Sequence, residues 1–401
     1  MFNSLKFKVV LFGFIFTFFS SFGQSYFLGL FNSSIREALS ITHGQFGSIY
    51  ASATLGSSIL LIWVGKKIDD INIFKFAFFV TILLSFACFF FSKVSSVLLL
   101  FIAIFLMRFS GQGMMSHTAS TTISRYFTRT RGRALSITWF GLSSAEFILP
   151  VLMVYLLTII NWKDLWLIFS ITVLIVLPIT SFVLIKNLDL NSREISDKKI
   201  KEVEIKQWKR IEVIKDYRFY VVCLNMLAMP WIFTGFAVFQ SFIQTSKGWG
   251  PYIIAQSFMS YSIFSVLTLF ISGFLIDKFT SRKLLIYMNI PLLISLIILF
   301  YFDNPITGFI FLGLVGISNG FANILGSSTW AELYGVKYLG SIKALTTALM
   351  VFATAFGTAL FGFLIDIGFS VADIATVSGI YISTSLVLLF LVRKKLNPII
   401  I

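Results

Sequence analysis

Gly65-Lys66-Lys67-Ile68-Asp69-Asp70-Ile71-Asn72 and Gly273-Phe274-Leu275-Ile276-Asp277-Lys278-Phe279-Thr280-Ser281-Arg282-Lys283 are the two stretches that decide how this chain reads. Each is a short charged turn between long apolar runs, and Gly65 to Gly273 is an offset of 208 residues. The same offset carries Tyr126 onto Tyr334 and Gly132 onto Gly340. It also carries Gln112, in Gly111-Gln112-Gly113, onto Gly320, in Asn319-Gly320. Matches at a single spacing, each at an equivalent helix end, indicate two duplicated halves related by an axis along the membrane normal.

Outward from these turns the chain alternates polar breaks with runs long enough to cross a bilayer, which takes about 20 residues per helix. Runs at about 8–30, 46–64, 73–92, 97–122, 133–159 and 164–185 give six spans. Six more follow at about 219–243, 252–276, 283–301, 306–330, 343–365 and 371–392. The expectation is an all-α membrane protein with twelve transmembrane helices in two pseudo-symmetric six-helix bundles. These are residues 1–185 and 219–401, joined by a cytoplasmic linker at 186–218. Composition agrees: 57% hydrophobic residues, a mean hydropathy of +0.92 and 48 phenylalanines exceed what a soluble core uses. The first run is too long for a signal peptide and lacks a small-residue cleavage pattern, so it reads as the first span.

The net charge of +15 points to topology and lipid rather than to nucleic acid. The basic residues fall between apolar runs, with no interleaved aromatics and no nucleic-acid module. With the N-terminus inside, 27 of the 32 Lys/Arg lie on one side. That bias places both termini in the cytoplasm of a cell (inner) membrane. The linker holds ten Lys/Arg and seven Asp/Glu, and a short amphipathic helix at about 205–214 is expected to lie on the membrane surface. Cys88 and Cys223 sit singly in apolar runs, without disulfide or metal spacing, so no metal and no cofactor is expected. No nucleophile motif or P-loop occurs, which excludes an enzyme or ATP-driven pump and leaves gradient-driven transport.

The repeated turn resembles the cytoplasmic motif G-x-L-x-D-R-x-G-R-R of the major facilitator superfamily. The second copy keeps the glycine, leucine, aspartate and basic positions, while the first has Asp70 where arginine is expected. Arg108-Phe109-Ser110-Gly111-Gln112-Gly113 is similar to the family's R-x-x-G-x-G in span 4. Arg131-Gly132-Arg133-Ala134-Leu135-Ser136 at the start of span 5, and 357–366 at the end of span 11, resemble the monocarboxylate and oxalate/formate branch. That branch's charged carboxylate-binding residues in spans 8 and 11 are absent. The resemblance implies a monomeric secondary transporter working by alternating access. It also implies a cytoplasmic latch made of Gly65, Asp69, Gly273, Asp277, Arg282 and Arg131. In this latch glycine admits close helix approach and the aspartate faces a helix N-terminus.

Arg108, His117 and Glu146 are the ionisable residues placed deep inside spans, where a charge costs roughly 3 kcal/mol or more. At about 1.5 Å per residue, Gln24, Arg108 and Glu146 fall at similar depth, so Arg108 and Glu146 are expected to be able to meet as an ion pair between neighbouring spans 4 and 5. One reading has Arg108 grip an anionic cargo with its planar donor fork while Glu146 carries the coupling proton. A second has the pair transmit protonation for a neutral cargo, and a third makes it a structural bridge. His117 is a further proton-transfer candidate, since histidine titrates near neutral pH. In the second half, Trp231, Tyr261, Asn319 and Asn323 are candidate cargo contacts. The expected function is proton-coupled transport of a small, monocarboxylate-like organic anion. The alternative is proton-driven export of amphipathic or drug-like molecules.

Overall fold

Backbone N–H and C=O groups find no partners in lipid, so a chain this apolar must satisfy them within helices. The computed structural model describes residues 4–68, 70–127, 130–186 and 206–399, apart from the side chains of Arg131, Asp277 and Ser327. Among the described residues there is no strand, and twelve helices are long and apolar enough to cross a membrane. Spans 1 to 6 are Leu5–Gly29, His43–Ile68, Ile73–Ser92, Val97–Tyr126, Gly132–Leu157 and Trp162–Ile185. Spans 7 to 12 are Tyr217–Val238, Ile253–Ile276, Ser281–Tyr301, Ile306–Tyr334, Leu339–Asp366 and Val371–Lys395.

The chain forms two compact units, Met1–Lys198 and Lys199–Ile401. In the first, span 1 packs on span 5, span 2 on span 4 and span 3 on span 6. In the second, span 7 packs on span 11, span 8 on span 10 and span 9 on span 12. The pairing is the same in both units, as the offset of 208 requires. Two seams are closed by glycine at backbone contact. A methyl on Gly141 would overlap the Phe14 carbonyl oxygen, and one on Gly357 would overlap that of Trp231. Phenylalanine fills the first unit at Phe22, Phe27, Phe91 and Phe169, all packed on Trp166. Others, such as Phe78, Phe79, Phe86 and Phe89 on span 3, are exposed and suit a lipid-facing surface.

Within the linker a helix spans Arg210–Lys215, with Ile211 and Ile214 exposed; residue 205, where the expected helix begins, lies outside the described residues. Val213 is fully buried with Trp208 in the apolar cluster at this end of the second unit. Trp208 N donates to the Tyr334 carbonyl at 3.0 Å, and Lys337 N donates to Gln207 Oε1 at 2.9 Å. The Lys209 N–H and the Lys206 ammonium hold the Glu212 carboxyl below the usual carboxylate range. Arg218 pairs with Asp216 at 2.7 Å and donates to the Asn397 carbonyl at 2.8 Å.

Candidate functional site

Span 1 is not a continuous helix. It runs Ser4–Ser20, tightens into the turn Ser21–Gly23, opens at Gln24 (φ −81°, ψ 150°) and resumes at Ser25–Gly29. Opposite this break, span 4 is π-helical over Arg108–Met115. Such wide turns occur at functional sites. The two irregular segments touch at Gly23 and Gly111, where a methyl on either would strike the other segment's backbone.

The break supplies acceptors to Arg108. Its Nη1 donates to the Gly23 carbonyl at 3.0 Å and to Ser25 Oγ at 3.2 Å. Tyr50 of span 2 donates to the same Ser25 Oγ at 2.9 Å, and the guanidinium lies 5.4 Å from the Tyr50 ring centroid. Charge-assisted hydrogen bonds of this kind contribute about 1.5–3 kcal/mol each, and a desolvated cation–π contact about 2 kcal/mol. These neutral contacts hold a charge that is only 3% exposed, and Nε is buried with no hydrogen-bond partner. Among the described residues no carboxylate pairs with Arg108.

The anticipated contact between Arg108 and Glu146 is therefore not made. Equal depth along two helices says nothing about the direction each side chain takes around its axis, and the π-helical stretch shifts that direction in span 4. Glu146 lies on span 5, is 8% exposed and has no salt bridge among the described residues. Its carboxyl lies within electrostatic range of the Tyr26 hydroxyl, on the second piece of span 1. Pro150 lacks the N–H that would bond the Glu146 carbonyl, which loosens span 5 at this point. Gln24 sits in the break itself, half-buried, with no side-chain partner among the described residues. Ser25, Tyr50 and the Gly23 carbonyl escaped the sequence reading. The only signal was the helix-weakening Gly23-Gln24-Ser25.

His117 reaches the turn between spans 2 and 3. Its Nε2 is 3.0 Å from the Gly65 carbonyl oxygen. Eight residues on, Arg125 Nη1 donates to the Ile68 carbonyl at 2.9 Å. Span 4 thus grips the turn Gly65–Ile68 by its carbonyls. The expected close helix approach at Gly65 and Gly273 is also corrected. A methyl on Gly65 would make ordinary contact with the His117 ring at 3.5 Å, and one on Gly273 would meet nothing within 4 Å. Asp69 and the side chains of Asp277 and Arg131 lie outside the described residues.

The turn between spans 8 and 9 is gripped by its amides. Glu332 of span 10 accepts from Ser281 N at 2.8 Å and from Arg282 N at 3.3 Å. The Arg282 side chain donates to the Leu396 carbonyl at 3.5 Å, a weak contact. Thr280 just before has φ 69° and ψ 147°, a region kept almost entirely for glycine. The motif quoted above has glycine at this position, and its backbone geometry explains why.

In the second unit a cavity of about 220 Å³ is walled by Met226, Met229 and Phe233 of span 7, Asn319 and Asn323 of span 10, and Met350 of span 11. Asn319 Nδ2 donates to Ser265 Oγ at 2.9 Å. Asn323 is exposed, with no side-chain partner among the described residues. Trp231 and Tyr261 do not line this cavity. Trp231 packs against Phe356, Phe361 and Tyr381, and Tyr261 stacks on Phe233 at 4.9 Å.

Twelve spans in two like-paired units, with irregular helices around a buried cation, define a polytopic membrane transporter. The sequence profile of the Major Facilitator Superfamily matches residues 13–260, and the chain belongs to that family. No curated protein sequence matches significantly. Among solved structures, the chain is similar to a bacterial homologue of the human lysosomal transporter Spinster, in an inward-facing, unoccupied conformation. The TM-score is 0.72 at 14% identity, covering 99% of this chain and 98% of that one. It is also similar to the nucleoside transporter NupG, with a TM-score of 0.71 at 14% identity, covering 98% and 99%.

Proposed function

We propose that this transporter moves a small organic anion by alternating access, coupled to protons. Arg108 is the anion-binding group, and Glu146 carries the coupling proton. The observation that supports this reading is the buried Arg108 guanidinium, held by neutral acceptors and an aromatic face with no counter-charge among the described residues. A charge left unpaired at such a place is costly, and a cargo carboxylate would lower that cost while bonding the remaining donors of the fork. Glu146 supports the second half of the reading. A buried carboxyl without a cation beside it is far cheaper neutral than charged, so binding and releasing a proton changes its surroundings strongly. On this reading the two turns held by span 4 and span 10 act as cytoplasmic latches.

Thermal stabilisation of the purified carrier by short carboxylates tests this, since a ligand binding only the folded state raises Tm. Carboxylates are expected to raise Tm more at mildly acidic than at mildly alkaline pH. Arg108→Ala is expected to abolish that rise, and Arg108→Lys, which keeps the charge, to retain part of it. Undiminished carboxylate binding by a folded Arg108→Ala carrier would overturn the anion reading. Persistence of the pH dependence in Glu146→Gln would remove Glu146 from coupling.

A second reading, export of amphipathic molecules, draws on the methionine- and aromatic-walled cavity of the second unit, a lining that adapts to varied apolar shapes. Stabilisation by neutral or cationic lipophiles alone would move it to first place.

A further inference from the structure

Spans 9 and 12 run antiparallel in contact, so the start of one and the end of the other meet at the same membrane face. There they enclose a groove of about 590 Å³. Its rim carries Arg282 and Lys283 from span 9, and Arg393 and Lys394 from the end of span 12. No acidic residue lines it, and among the described residues none of these four cations pairs with a carboxylate. Arg393 is held against the Phe390 ring, 3.5 Å from its centroid, and Arg282 rests weakly on the Leu396 carbonyl. Both arginines are thus partly positioned while their charge stays unneutralised. The floor changes character along the spans. One turn or two further into the membrane segment it is Ile286, Tyr287 and Ile290 on one side, with Leu389 and Phe390 on the other.

We infer that this groove binds one anionic phospholipid, its phosphate among the four cations and an acyl chain along the apolar walls. Three features point to lipid rather than to a soluble anion. The cations are clustered at a membrane-span end, the face they occupy carries the chain's excess of Lys/Arg, and the lining continues as apolar surface in the direction of the bilayer core. Basic pockets between spans at the negatively charged leaflet recognise lipid headgroups in this way. The groove lies wholly within the second unit and shares no residue with Arg108 or Glu146, so it stands independently of the proposed cargo.

Native mass spectrometry of the full-length carrier tests the inference, with phosphatidylglycerol or phosphatidylcholine added in equal amounts. Phosphatidylglycerol is expected to remain bound in preference to phosphatidylcholine. The triple variant Lys283→Gln, Arg393→Gln, Lys394→Gln is expected to weaken phosphatidylglycerol binding about tenfold or more. A control that removes the same charge at exposed sites elsewhere, Lys66→Gln, Lys67→Gln, Lys75→Gln, is expected to leave binding within about twofold of the wild type. Equal losses in the two triple variants would mean diffuse attraction and overturn the site. Unchanged binding in the groove variant would overturn it too. Displacement of the lipid by glycerol phosphate at equal concentration would show a soluble phosphate site and overturn the assignment to lipid. The control carrier's melting curve serves as the reference for folding. If the groove triple variant does not match it, the single variants Lys283→Gln and Lys394→Gln are compared with Lys66→Gln and Lys67→Gln, and the same outcomes decide.

Discussion

The turn between spans 2 and 3 and the turn between spans 8 and 9 occupy equivalent places in the two units, yet opposite chemistry secures them. The first is held through carbonyls, at Gly65 by His117 and at Ile68 by Arg125. Asn72 then caps span 3 with its own side chain, accepting from Phe74 N at 2.9 Å. The second is held through amides, at Ser281 and Arg282, by the carboxylate of Glu332. Thr280, the counterpart of Asn72, makes no cap and sits in a strained backbone conformation. A turn between two helices offers the carbonyls that end one helix and the amides that begin the next. A partner of either sign can therefore fasten it. Pseudo-symmetry preserved the place of the fastening and left its polarity open.

The comparison can be broken most strongly at Glu332. Glu332→Ala removes a carboxylate that accepts two backbone N–H bonds, and a loss of about 2 kcal/mol is expected, read as a lower Tm in detergent. Glu332→Gln should recover part of it, because the amide oxygen still accepts. A Tm for Glu332→Ala equal to that of the wild type would mean that water caps span 9 equally well. On the other side, Asn72→Ala should cost about 1 kcal/mol, a smaller effect because the cap is local and exposed. If it exceeded the Glu332→Ala loss, the ranking of the two fastenings would be reversed. Thr280→Gly sharpens the contrast by changing sign. Relief of the strained backbone, less the entropy that glycine adds to the unfolded chain, should raise stability by about 0.5 kcal/mol. Asn72→Gly, at ordinary backbone angles, should only lower it. Destabilisation by Thr280→Gly would show that the threonine side chain contributes more than its backbone conformation costs.

The architecture was legible because its signals are local and repeated. Apolar runs of bilayer length, charged turns and the common offset of 208 each constrain the same twelve helices, and span 3 at 73–92 falls on Ile73–Ser92. The environment of Arg108 was legible only halfway. Its type and depth marked it as unusual, but the direction of a side chain around a helix depends on a regular period. The π-helical stretch at Arg108–Met115 and the break at Gln24 interrupt that period where it mattered. The surroundings of Trp231 and Tyr261 were illegible for a related reason. An aromatic residue in a span serves a seam or a cavity equally well, and sequence does not tell which neighbour faces it. The role of Glu332 was not legible, since its partners lie about fifty residues away in the chain, at Ser281 and Arg282.

The seam glycines carry a genetic consequence. One base change at the second codon position turns any glycine codon into an alanine codon. At Gly141, Gly316 and Gly357 the added methyl would overlap a carbonyl oxygen of the facing helix, and at Gly23 it would overlap Met107 and Gln112. At Gly273, inside the most recognisable stretch of the chain, the same methyl would meet no atom. The mutational load of this carrier therefore falls on the glycines at helix seams, Gly111 and Gly357 among them, rather than on the glycine of the second turn. A random alanine there would be lost from a population, while the glycine of the conspicuous second turn could drift.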